Sequence, residues 1–213
     1  MLVSASDGRS GGLVMFWNND ISVTSKEVTP NYIDIRINEH SEAGCRLTGL
    51  YGEPSGERKH LTWQYIRELH AAVDLPWLLA GDFNEILYSH EKEGGAPRSQ
   101  RCMQVFRDTL SECDLEDQGY IGDVFTWRRG QLRERLDRSV CDPRWAAMFP
   151  LAAVINDDFG KSDHRPIVIN TEYNTGLTAV RQKAPLKFEA RWLCESSVEH
   201  IIQMGLGEGQ TFA

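Results

Sequence analysis

The chain has no apolar run that could cross a membrane. Its longest, Leu13 to Trp17 and Leu75 to Ala80, fall far short of the roughly 20 residues a spanning helix needs. The opening stretch Met1 to Asp7 has no basic segment followed by a long apolar one, which excludes a secretory leader there. There is no Cys-x-x-Cys. The five cysteines, Cys45, Cys102, Cys113, Cys141 and Cys194, are odd in number and far apart, so free thiols in an intracellular, reducing compartment are expected and a zinc site is not. Positive charge is scarce too. A net charge of −8 argues against holding nucleic acid by bulk charge, although not against a local basic strip. No internal repeat or low-complexity segment is present.

What is present is an ordinary globular composition, 41% apolar and 25% charged over 213 residues, enough for one sizeable core. Leu13 to Trp17 reads as a strand, and Asn18-Asn19-Asp20 as a hairpin turn into Ile21 to Thr24. Tyr32 to Ile37 alternates, with Ile33, Ile35 and Ile37 on one face and Asp34 and Arg36 on the other. Arg46 to Tyr51 reads as the next strand, ending in the breaker-rich loop Gly52 to Gly56. Leu61, Tyr65, Ile66, Leu69, Ala72 and Val73 form a helical stripe, with His60 and His70 on the solvent side. A second helix is expected after Ser99 as N-cap, with Met103, Phe106, Leu110 and Cys113 facing the core. Glu91-Lys92-Glu93 reads as a solvated turn. Strands alternating with helices, and hairpins among them, predict an α/β fold: mixed sheets with helices outside.

Three blocks carry candidate chemistry. Trp77-Leu78-Leu79-Ala80 is a buried strand, and Gly81-Asp82-Phe83-Asn84 follows it. If the strand continues, Asp82 and Asn84 point the same way, into one cleft. The competing reading is a plain Gly/Asp/Asn turn. Phe125 to Arg138 packs five arginines, Arg128, Arg129, Arg133, Arg135 and Arg138, into eleven residues beside Trp127. Guanidinium groups grip phosphates and an aromatic face stacks on bases, but a solvated strand pair with Glu134 and Asp137 as partners fits equally. Gly160-Lys161-Ser162-Asp163-His164-Arg165-Pro166 opens the apolar strand Ile167 to Ile169. Asp and His on such a loop present a base and a ligand, unless the segment is only a surface turn.

In this order, Gly81-Asp82-Phe83-Asn84, Arg135-Leu136-Asp137-Arg138 and Ser162-Asp163-His164-Arg165-Pro166 resemble the endonuclease/exonuclease/phosphatase superfamily of DNase I-like and abasic-site nucleases. Leu50-Tyr51-Gly52 sits where that family places an active-site tyrosine. Phe125-Thr126-Trp127, Ile86 to Gly95 and Lys187 to Trp192 are similar to the endonuclease domain of plant non-LTR (LINE-type) retrotransposons.

The resemblance implies a four-layered α/β sandwich of two mixed sheets with outer helices. It assigns residues 1–172 to the nuclease domain and 173–213 to a tail toward a further domain. It implies metal-dependent phosphodiester hydrolysis, as a DNA-nicking activity with Mg²⁺, or Mn²⁺ in its place, acting in the nucleus. His164 would move the proton, Asp137 would fix its tautomer, and Asp82 would orient water or serve the leaving oxygen. Asn84 and Tyr51 would donate to the phosphate, and Asp163 would ligate the metal. Trp127, Arg128, Arg129 and Arg133 would contact DNA. The family also places strands bearing an Asn and a metal-ligating Glu before a segment like Gly8 to Trp17. The chain starts at Met1, so those strands are expected to be missing and activity impaired. Two other readings stay open, a non-catalytic nucleic-acid-binding remnant and a phosphatase on a small phosphoester.

Overall fold

A computed structural model describes residues 1–5 and 12–173. The expected tail lies outside the described residues from position 174 on, together with Lys187 to Trp192 and Cys194. All described residues belong to one compact unit, Met1–Arg181.

In chain order the strands are β1 (Leu2–Ser4), β2 (Leu13–Met15), β3 (Val23–Val28), β4 (Tyr32–Ile37), β5 (Cys45–Tyr51), β6 (Trp77–Asp82) and β7 (Lys92–Glu93). They continue with β8 (Glu116–Asp117), β9 (Ile121–Gly122), β10 (Trp127–Arg129), β11 (Leu132–Glu134), β12 (Asp137–Cys141), β13 (Ala153–Asn156) and β14 (Ile167–Asn170). The helices are α1 (Lys59–Ala72), α2 (Gln100–Glu112) and α3 (Pro143–Met148).

The main sheet runs β3-β4-β5-β6-β12-β8. It is mixed: β5 and β6 are parallel, whereas β12 returns antiparallel to β6. A second mixed sheet, β14-β13-β9, pairs β13 antiparallel to β14 and parallel to β9. The hairpin β1–β2 and the small sheet β10-β11-β7 complete the set. The fold is an α/β sandwich with mixed sheets, as the order of elements predicted.

One face of the main sheet is covered by α1 and α2. Trp63, Ile66 and Leu69 from α1 meet Phe106, Leu110 and Cys113 from α2 over Leu79, Phe83 and Val140. Trp63 stacks on Phe106 with ring centroids 4.5 Å apart, and Phe83 stacks on Phe106 at 5.2 Å. Such pairs add to the area they bury. Cys45, Leu78 and Cys141 form a separate cluster with Trp145 of α3, Ala152 and Ile169.

Most elements lie where their patterns put them, and four expectations are corrected. Strand β2 stops at Met15, and the next strand begins at Val23 rather than Ile21. The buried stripe of α1 is Lys59, Thr62, Trp63, Ile66 and Leu69. It is rotated from the expected one because Trp63 fills the space over Phe106, leaving Ala72 exposed. Ser99 is the N-cap of α2, but its side chain makes no capping bond. Glu91 is no solvated turn residue. It is buried and paired with Arg135 at 2.9 Å and Arg138 at 2.9 Å. Asp117 closes the same cluster, 2.8 Å from Arg135 and 2.6 Å from Arg138. Two of the five arginines therefore form interior ion pairs, in which the terminal guanidinium nitrogens meet carboxylate oxygens while the Nε of each is buried without a hydrogen-bond partner. Glu134, which the solvated-strand reading would pair with these arginines, pairs with Lys92 and Arg98.

Cys45, Cys102, Cys113 and Cys141 are free thiols. Among the described residues no helix is long and apolar enough to cross a membrane.

Candidate active site

Strands β5 and β6 run parallel, so their C-terminal ends open on the same edge. There the register pairs Tyr51 with Asp82, and Asp82 with Asp137 of β12. Paired residues on neighbouring strands share a face of the sheet. Tyr51, Asp82 and Asp137 therefore form one row across three strands. The last member comes from the loop before β14: His164 pairs with Trp127 in an isolated antiparallel bridge, and its amide donates to Ser162 Oγ at 3.1 Å.

His164 stands between the two carboxylates. Its Nδ1 lies 2.8 Å from Asp137 Oδ2 and its Nε2 lies 4.0 Å from Asp82 Oδ2. Burial raises the Asp82 carboxyl, and the nearby Asp137 charge adds to this, taking its pKa to about 6. Burial works against a charged His164, but the Asp137 hydrogen bond and the charges of Asp137, Asp82 and Asp163 prevail and hold its pKa above the ordinary value. A carboxyl with a pKa of about 6 and an imidazole held above its ordinary pKa thus share one cleft, an arrangement suited to acid–base chemistry.

Asn84 does not continue the strand. Its φ is 53°, in the left-handed region that Asn tolerates. Its amide N–H donates to Asp82 Oδ1 at 2.7 Å, and its side-chain amide donates to Asp82 Oδ2 at 3.0 Å and to the Gly52 carbonyl at 2.8 Å. Gly-Asp-Phe-Asn is a turn, and the turn's hydrogen bonds fix the direction of the Asp82 carboxylate. Phe83 between them is fully buried in the helix-facing core. Two glycines allow the close approach. A Cβ on Gly81 would meet the Leu50 carbonyl at 2.1 Å, and one on Gly52 would meet the Phe83 carbonyl at 2.6 Å.

Asp163 lies outside the row. Its carboxylate accepts from the Trp127 indole at 3.0 Å, and its carbonyl accepts from the Arg128 amide at 2.9 Å. Among the described residues, one group offers three ligand atoms within 4.8 Å of one another: Asp82, Asp137 and His164. Two carboxylates beside an imidazole suit a divalent cation by donor chemistry.

The basic block divides by position. Arg128 lies over the Phe159 ring at 4.1 Å. Arg133 is half-buried, paired with Glu93 at 2.5 Å and set over Phe125. Arg129 is exposed at the tip of the β10–β11 hairpin and has no ion pair among the described residues.

Sequence reasoning passed over Thr126, although it is fully buried and its hydroxyl accepts from the amides of Leu136 and Asp137, both at 2.9 Å. That hydroxyl sets where β12 begins and hence where Asp137 sits. The one available signal was a hydroxyl residue between Phe125 and Trp127. Lys59 and Glu85, buried behind Asn84, gave no signal at all.

The Endonuclease/Exonuclease/phosphatase family profile matches residues 3–164. No curated protein sequence matches the chain. Among solved structures, the endonuclease domain of TRAS1, a telomere-specific non-LTR retrotransposon, is similar at 22% identity with a TM-score of 0.59, over 79% of this chain and 78% of that one. The 3′ phosphatase NExo from Neisseria, solved with product DNA hairpin, is similar at 18% identity and a TM-score of 0.48, over 71% of this chain and 70% of that one.

Proposed function

The chain belongs to the endonuclease/exonuclease/phosphatase family, and on that premise we propose that it hydrolyses phosphodiesters as a DNA-nicking endonuclease domain of the retrotransposon type. The observation that carries this reading is the Asp137–His164–Asp82 arrangement at the open edge of β5 and β6, with His164 Nδ1 2.8 Å from Asp137 and its Nε2 turned toward Asp82.

In this reading the imidazole transfers the proton and Asp137 fixes the tautomer, leaving Nε2 as the working nitrogen. Asp82, held by Asn84 on both oxygens, faces the water or leaving-group oxygen. Its pKa near 6 lets it release or accept a proton at neutral pH. Tyr51 stands on the other side of Asp82 in the row and is assigned to the phosphate oxygens. Asn84 spends its side-chain hydrogens on Gly52 and Asp82, so its contribution is to orient Asp82. Asp82 and Asp137 would hold a Mg²⁺ ion, with Asp163 near the rim. The ion would supply charge stabilisation at the phosphate.

DNA rather than a small ester is favoured by the hairpin tip, where Arg129 stands exposed beyond the acid–base row. The test is nicking of supercoiled plasmid with and without chelator, run beside hydrolysis of a simple phosphomonoester. Nicking that needs a divalent cation, and that falls about 10²-fold or more in His164→Ala, is the expected result. Phosphomonoester hydrolysis without nicking would make the protein a phosphatase, and DNA binding without either would make it a binding module.

A further inference from the structure

Lys59 is the first residue of α1, and it stands against two local rules. A cation in the first turn opposes the helix dipole, and no acidic residue there offsets it. Its ammonium is also almost fully buried, which disfavours the charge; desolvation accordingly lowers its pKa, although Glu85 pulls the other way. Its partners account for the placement. Nζ donates to the Asn84 carbonyl and lies 3.5 Å from Glu85 Oε2. Glu85 is not dependent on it, because Arg98 reaches Glu85 Oε1 at 3.2 Å. What only Lys59 supplies is the donor to Asn84.

We propose that Lys59 is a positioning residue for phosphodiester hydrolysis, clamping the left-handed turn at Asn84 that aims Asp82. The role rests on the hydrolysis reading above. Asn84 has φ 53°, a left-handed conformation that Asn adopts more readily than other non-glycine residues and that its surroundings here hold in place. All three of its donor hydrogens are tied: the backbone N–H and one side-chain hydrogen to Asp82, and the other side-chain hydrogen to Gly52. Its backbone carbonyl is tied to Lys59. Lys59 itself rides on a helix locked into the core by Trp63, Ile66 and Leu69. The clamp thus transmits the rigidity of that core to the one side chain whose orientation decides the 4.0 Å approach of Asp82 to His164.

The test is Lys59→Met, which keeps the apolar stem and leaves Glu85 paired with Arg98. The first readout needs no activity. The side-chain amide signals of Asn84, assigned with Asn84→Ala, are followed by NMR for exchange with water. Wild type should show protected hydrogens, and Lys59→Met should lose that protection while core amides keep theirs. The second readout is plasmid nicking, where kcat should fall about 10²-fold, the scale of a slightly misplaced group, with KM unchanged. Unchanged Asn84 protection overturns the proposal. So does a rise in KM at constant kcat, which would make Lys59 a substrate contact. A wild type that does not nick removes the hydrolysis reading, and the amide readout still decides whether the clamp exists. Should Lys59→Met fail to fold, Lys59→Gln serves in its place. Its shorter amide must pull the Asn84 carbonyl or lose it, and Asn84 signals identical to wild type in that variant also overturn the proposal.

Discussion

At the scale of single residues, Asp82 is the site carboxylate that burial shifts furthest. Its folded pKa of about 6 lies above the ordinary 3.8. The folded state therefore holds a proton that the unfolded chain has already released. Stability from this group is complete below pH 3.8 and is lost as pH rises through 6. The shift corresponds to up to about 3 kcal/mol. In chelator, Asp82→Asn should thus gain stability relative to wild type between pH 4 and pH 7, measured by urea unfolding at each pH. A constant difference across that range would mean that Asp82 is not buried as described. His164 has the same sign: its raised pKa makes its contribution complete below the ordinary imidazole value and lost as pH rises through the raised one.

At the scale of elements, the position of Asp137 depends on where β12 starts. Thr126 Oγ1 accepts two amides there, the buried one of Leu136 and the part-buried one of Asp137. Thr126→Val preserves shape and removes the single acceptor that both amides use. An unsatisfied buried amide costs about 1–3 kcal/mol, so a loss of at least about 1–3 kcal/mol is expected in denaturant unfolding. Thr126→Ser, which keeps the hydroxyl, should lose far less. Equal losses in the two variants would assign the effect to the missing methyl instead. The same element explains the buried quartet of Arg135, Arg138, Glu91 and Asp117, which ties the start of β12 to β8 and to the segment before β7.

At the scale of the whole molecule, the chain is acidic, at −8, and any grip on DNA must be local. The β10–β11 hairpin is the proposed place. Its arginines are not equivalent, because Arg133 is already paired with Glu93 whereas Arg129 has no ion pair among the described residues. Arg129→Ala should reduce the log–log salt dependence of duplex binding by about 0.9, one phosphate contact. Arg133→Ala should change it less. Fluorescence anisotropy across a salt series reads this directly, and an unchanged slope for Arg129→Ala would remove that contact from the interface.

The sequence by itself determined the periodic parts. Alternation in Tyr32–Ile37, the apolar run before Asp82 and the stripe of α2 depend on local spacing, which any sandwich with this chain order must respect. It also determined which residue types are available for acid–base work, because Asp82, Asp137 and His164 stand in short distinctive segments. Only the tertiary structure decided which of them meet. The register of β5, β6 and β12 placed residues far apart in the chain in one row, and long-range pairing of that kind is not encoded in local spacing. It decided as well that Asn84 turns away from the strand, that Glu91 and two arginines go inside, and that Trp127 donates to Asp163. For Glu91 and the two arginines the deciding term is that a buried polar group must find a partner, and their partners come from elements distant in the chain. The Asn84 turn is closed instead by Asp82, two residues back, and by the Gly52 carbonyl.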